Sequence, residues 1–187
     1  MKIDRSLFFP RARSSVFRGS MTQTQVNGIN ALLDMCEQLS VSDPRYVAYI
    51  LATAFHETAQ TMEPIAEYGK GRGKLYGRPG VDGQIAYGRG YVQTTWAYNY
   101  EKTDQKLGLG GRLIANYDLL LTDKDMAAKA AITGMRDGWY TGKKLADYLT
   151  PHITDFLDAR RIINGMDCAA LIAGYARNFL ASIGTLQ

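Results

Sequence analysis

From Thr22 onward, Val26, Ile29, Leu32, Leu33, Cys36 and Leu39 recur at spacings of three and four, which predicts an amphipathic helix. Ser42-Asp43-Pro44 then supplies a cap residue followed by proline at a first helical position, where a missing N–H costs nothing. The helix that starts there runs through Tyr46, Val47, Tyr49, Ile50, Leu51, Ala54 and Phe55. It is apolar on nearly every side, so it should pass through the middle of a core. It ends at His56 and Glu57.

Between Gly69 and Gly90 the pattern changes abruptly. Eight glycines, Pro79 and short stretches around Tyr76 and Tyr87 predict a small irregular hairpin lobe over 69–90. Helical spacing returns over 91–106, 113–121, 125–136, 143–149, 153–163 and 167–180, separated by glycine, proline or asparagine. No internal repeat is present. The chain of 187 residues reads as one domain over 1–187, mainly α, with a large helical lobe and a small glycine-rich hairpin lobe flanking a cleft. Glu57 falls at the junction of the two.

Composition changes this picture little. Hydrophobic residues make up 46% and charged residues 21%, which excludes disordered, fibrous and membrane-embedded classes. No apolar run reaches the ~18 residues of a membrane span, so no stable membrane insertion is expected. The basic N-terminal segment 1–18 carries an apolar cluster too short for a signal peptide, which predicts synthesis in the cytoplasm. Cys36 and Cys168 are too far apart for a metal-binding spacing and are read as buried free thiols; no metal and no cofactor are expected. The net charge of +4 suits electrostatic attraction to an anionic envelope. No concentrated Lys/Arg helix or groove-reading motif points to nucleic acid.

A carboxylate at the end of an apolar helix is partly desolvated, which suits it to protonating a leaving group; Glu57 is the candidate. Three segments give it context: Ala54-Phe55-His56-Glu57-Thr58, the stretch Tyr87-Gly88-Arg89-Gly90-Tyr91-Val92-Gln93-Thr94-Thr95-Trp96-Ala97-Tyr98-Asn99-Tyr100, and Arg161-Ile162-Ile163-Asn164-Gly165. Together these resemble glycoside hydrolase family 19, whose chitinases and phage and bacterial endolysin relatives carry a His-Glu-Thr or His-Glu-Ser at the end of a core helix. The resemblance implies a lysozyme-like α+β fold, Glu57 as general acid, Thr95 as the hydroxyl that positions water, and Gln93, Asn99 and Asn164 as sugar-binding amides. Tyr91 and Trp96 are aromatic candidates for the sugar faces. His56 and Arg89 are read as structural support, with Arg89 pairing a carboxylate to hold the cleft wall.

Inversion at the sugar carbon needs a second carboxylate across the cleft. Here the chain departs from plant-type chitinases, because Pro79, Gly80, Val81 and Asp82 occupy the corresponding region. Glu67, which opens the minor lobe ten residues after Glu57, is the preferred base; Asp82 is second and Glu63 third. The leading expectation is an endolysin, a monomer that hydrolyses peptidoglycan glycan strands and reaches the wall once the inner membrane is permeabilised. The alternatives are a chitinase and a non-catalytic glycan-binding protein.

Overall fold

The computed structural model describes residues 1–184. Thr22 caps helix α2 (Gln23–Gln38) through a reciprocal pair: its hydroxyl accepts from the Gln25 N–H, and the Gln25 side chain accepts from the Thr22 N–H. Asp43 caps α3 (Pro44–Glu57), with Pro44 inside the first turn. Every residue from Val47 to Phe55 is buried, as an all-round apolar helix requires. Its main partner is α9 (Ala169–Ser182).

The N-terminal segment is part of this core. Residues Arg5–Ser15 form helix α1, capped by Asp4, with Phe8 and Ala12 buried. Pro10 lies inside α1 and breaks the sequence signal for it. Phe8 stacks on Phe179, and Phe17 and Phe179 meet Phe55 edge-on, so aromatic side chains tie α1, α9 and the end of α3 together.

The minor lobe is a hairpin whose arms pair at its base. Strand β1 (Ile65–Ala66) runs antiparallel to β2 (Arg89–Gly90), and the loop between them holds a short 3-10 turn over Leu75–Gly77. Its base therefore starts four residues before the predicted boundary. After β2 come α4 (Ala97–Leu107), α5 (Arg112–Ala115), α6 (Leu119–Thr122), α7 (Lys124–Asp137) and α8 (Leu145–Tyr148). A second, smaller apolar cluster of Ala86, Tyr100, Leu113, Tyr117, Leu120, Met126 and Ala130 lies beneath the hairpin. The fold is mainly helical, as expected.

Four expectations need correction. Residues 91–96 are not helical: Arg89 and Thr94 exchange backbone hydrogen bonds, and Gln93 and Trp96 take positive φ of 54° and 72°. Long-range bonding overrides the local pattern there. The stretch 113–121 splits into α5 and α6. Residues 153–163 form only a 3-10 turn over Asp158–Ile162, because Leu149 and Thr154 bridge and Arg45 donates to the carbonyls of Thr150 and Ile153. Cys36 is buried, but Cys168 is exposed in left-handed geometry at the start of α9. Among the described residues, no helix is long and apolar enough to cross a membrane.

Candidate active site

A cleft of about 540 Å³ opens between the lobes. Glu57 and Glu67 both line it, with Gln93, Thr95, Trp96, Asn99 and Asn164. Four separate stretches of chain reach it: the end of α3, the hairpin with the turn into α4, and the turns after residues 137 and 162.

Glu57 reaches the cleft because α3 ends there. Its Oε1 accepts a 2.6 Å hydrogen bond from Nη1 of Arg160, a guanidinium only 2% exposed. Burial alone would lower the Arg160 pKa, but the charge of Glu57 and its hydrogen bond, then those of Asp167, outweigh burial and hold the pKa above its ordinary value. A guanidinium can only donate. Arg160 therefore fixes one oxygen of Glu57 as an acceptor and leaves Oε2 as the atom that can carry a proton.

Glu67 follows β1 and is held by neutral donors. Its Oε1 accepts from the Tyr76 hydroxyl at 2.9 Å and its Oε2 from the Gly88 N–H at 3.2 Å. Burial, then the hydrogen bond and charge of Glu67, raise the Tyr76 pKa, so its phenol remains a donor. Gly88 also backs the neighbouring side chains: a Cβ there would lie 2.8 Å from Gln93 Oε1 and 3.2 Å from Thr95 Oγ1.

The left-handed turn at Gln93 aims these groups. Gln93 Nε2 donates to the carbonyls of Ile65 and Gly90, which leaves Oε1 as its free acceptor among the described residues. The Thr95 hydroxyl donates to the Gln93 carbonyl at 2.7 Å, so toward the cleft it offers lone pairs. Asn99 Nδ2 donates to the Thr95 carbonyl, while its Oδ1 is buried with no partner. Trp96 is exposed and stacks near-parallel on Tyr98, also exposed, at 6.3 Å.

Other candidates lie elsewhere. Tyr91 is corrected from sugar contact to core: it is 1% exposed and packs in the main apolar cluster, so its ring cannot meet a polymer. Asp82 caps its own turn, accepting from the Gln84 N–H and side-chain amide, and does not line the cleft. Glu63 pairs with Lys124 at 2.5 Å, also outside it. Arg89 is buried behind the cleft wall, where it pairs with Asp118 at 2.7 Å, donates to the carbonyls of Ile85 and Tyr87, and lies over the Tyr87 ring. His56 lines an adjoining recess with Ile65, Ala66 and Tyr68, which shares Glu57, Glu67 and Gln93 with the main cleft.

Sequence reasoning missed Arg160, Tyr76 and Tyr140. Arg160 precedes the Arg161-Ile162-Ile163-Asn164-Gly165 stretch, and nothing local separates it from its exposed neighbour Arg161. Tyr140 lines the cleft floor and donates to the Ala130 carbonyl. Gly134 admits it, since a Cβ there would lie 2.5 Å from the ring.

Residues 47–144, just over half of the chain, match the family model of glycoside hydrolase family 19, chitinase class I. The chain belongs to glycoside hydrolase family 19. It is 46% identical over 54 residues to an inactive chitinase-like protein 1 of Hevea brasiliensis, a match covering 29% of this chain and 17% of that protein. It is 46% identical over 46 residues to an acidic 26 kDa endochitinase of Solanum lycopersicum, covering 25% and 18%. This family 19 chain thus matches less than a fifth of the length of either curated relative. Chitinase C of Streptomyces griseus HUT6037 superposes with a TM-score of 0.64 at 24% identity, over 96% of this chain and 77% of that one. A mutant of chitinase C gives a TM-score of 0.60 at 24% identity, over 89% and 93%. At that identity the likeness concerns the fold, which is the one family 19 membership implies.

Proposed function

We propose that this chain hydrolyses β-1,4 bonds in polymers of N-acetylated amino sugars, with Glu57 as general acid and Glu67 as general base. The observation that carries this reading is the meeting of the two carboxylates in one cleft, each from a different lobe and each anchored by its own donors. Glu57 protonates the leaving oxygen through Oε2, while Glu67 takes a proton from water attacking the opposite face of the sugar. Thr95 accepts a hydrogen bond from that water. Gln93 Oε1 and the two asparagines bind the sugar's polar groups, and Trp96 with Tyr98 offers an aromatic face. A non-catalytic glycan-binding role fits less well, because both carboxylates are present and neither is paired away from the cleft.

The comparisons favour chitin over peptidoglycan as the polymer, which reverses the order given by sequence alone. A specific observation keeps peptidoglycan as the second reading: the exposed loop of the minor lobe carries Lys70, Arg72, Lys74 and Arg78, a charge that a neutral polymer does not call for. On that reading the protein acts on the wall after leaving the cytoplasm through a permeabilised membrane.

The test is to digest chitin oligosaccharides and purified peptidoglycan separately, with mass spectrometry of the new ends and NMR of the first-formed anomer. Cleavage of chitin oligosaccharides with the α-anomer appearing first is expected. Reducing N-acetylmuramic ends from peptidoglycan alone would establish the second reading. A first-formed β-anomer would remove Glu67 as base, and binding without cleavage would remove the enzymatic reading.

A further inference from the structure

Positive charge gathers in two segments, the basic one over 1–18 and a loop beside the cleft. Between Tyr68 and Val81 stand Lys70, Arg72, Lys74 and Arg78, with no Asp or Glu among them. Four of the 22 Lys and Arg residues and none of the 18 Asp and Glu lie there, a local charge of +4 within fourteen residues. All four cations are exposed, and none makes an ion pair with the described residues.

The loop is a folded platform. Consecutive turns bond the N–H groups of Lys70, Arg72, Lys74 and Gly77 to the carbonyls of Glu67, Gly69, Gly71 and Lys74. Gly71 and Gly77 pack backbone to backbone, so closely that a Cβ on Gly77 would lie 1.8 Å from the Gly71 oxygen. Neighbouring cations at 70, 72 and 74 have Cα atoms at most about 7 Å apart, within a Debye length of about 8 Å at physiological salt. They repel one another unless an anion lies across them.

The platform is continuous with the cleft. Tyr76, between Lys74 and Arg78, lines the cleft and donates to Glu67, and Tyr68 lines the adjoining recess. Tyr68 and Leu75 are 80% and 71% exposed, apolar surface set among the charges. A polymer strand leaving the cleft on this side runs over the loop. A bilayer is the poorer fit, because the segment is a chain of tight turns without an amphipathic helix to lie in an interface.

We infer that the loop from Tyr68 to Val81 is an electrostatic binding surface for carboxylate groups carried by the same β-1,4 glycan strand that occupies the cleft. The inference rests on the glycan reading in its second form, peptidoglycan, and deepens it: the strand is acidic and is gripped beyond the scissile bond.

The test uses wild-type protein and a variant with Lys70→Gln, Arg72→Gln, Lys74→Gln and Arg78→Gln, none of which touches the two carboxylates. Binding to carboxymethyl chitin, to neutral glycol chitin and to anionic phospholipid vesicles is measured by affinity electrophoresis and co-sedimentation across a salt series. Wild type should bind carboxymethyl chitin about tenfold more tightly than glycol chitin at low salt, a preference lost at about 0.5 M salt, where charges are screened within a few ångströms. The variant should bind both polymers alike while keeping its melting temperature. Equal binding of both polymers by wild type, a variant that keeps the preference, or tight binding to vesicles alone would each overturn the inference. The wild-type salt series decides the matter even if the variant fails to fold. Binding is read without turnover, so a protein that prefers the acidic polymer yet cleaves nothing would sink the proposed reaction and leave this surface standing.

Discussion

Glu57 and Glu67 face the same cleft but are held by opposite means. Glu57 ends a helix with nine successive buried residues and is gripped by a buried cation that Asp167 shares. Glu67 follows a strand of two residues and is held by a phenol and a backbone N–H, both neutral. A charged anchor fixes position strongly and leaves a large penalty if removed, whereas neutral donors orient a group with less at stake. The proposed acid thus ends a long buried helix and the proposed base follows a two-residue strand.

This contrast can be broken in graded steps. Glu57→Gln should lower turnover by about 10² to 10⁴-fold, the range of general acid–base catalysis, while the amide oxygen still accepts from Arg160 and the melting temperature stays close to wild type. Assay on a β-1,4 oligosaccharide checks this, and more than a tenth of wild-type activity would remove Glu57 as acid. Arg160→Leu should cost about 3 kcal/mol of stability by stranding Glu57 without its cation, read as a fall in the denaturation midpoint. An unchanged midpoint would show that the ion pair does not anchor Glu57.

Glu67→Gln should reduce turnover about 10²-fold with little change in stability, whereas Asp82→Asn should spare turnover. The reverse pattern would move the base to Asp82. Tyr76→Phe removes one hydrogen bond from a neutral donor to a carboxylate, worth about 1.5 kcal/mol, which corresponds to a roughly tenfold loss of turnover; a loss as large as that of Glu67→Gln would mean that Tyr76 touches the reacting atoms.

The smallest effect lies far from the cleft. Burial raises the Cys36 thiol to about 12, while Cys168 is exposed. A folded-state pKa above the unfolded value near 9 stabilises the native protein below pH 9, and that contribution is lost as pH rises toward 12. Native protein at pH 8 should therefore take up one equivalent of iodoacetamide, at Cys168, with no change in turnover. Uptake of two equivalents would show that the α2 core opens.

The parts of this fold legible in the sequence are those where local and tertiary forces agree. The three-and-four spacing from Thr22, the cap before Pro44 and the unbroken apolar run of α3 placed two helices and Glu57 almost to the residue. Legibility failed where distant groups decide the conformation. Tyr91 to Trp96 carries helical spacing, yet bonds from Gln93 to Ile65 and from Thr94 to Arg89 pull it into a left-handed turn, and that turn moves Tyr91 inward while presenting Gln93 and Thr95 to the cleft. Arg160 was illegible for the same reason, because its partner stands 103 residues earlier.

The two ends of the described chain clasp each other. The Asp4 N–H donates to the Gly184 carbonyl, Asn178 donates to the Ser15 carbonyl, and α1 and α3 both pack on α9. Closing such distant contacts slows folding relative to bundles of sequence neighbours. During synthesis on the ribosome, the helix bearing Glu57 is made early but lacks its principal packing partner until α9 has been translated. The nascent chain therefore carries that helix without its partner until α9 emerges, and the cleft is assembled only then.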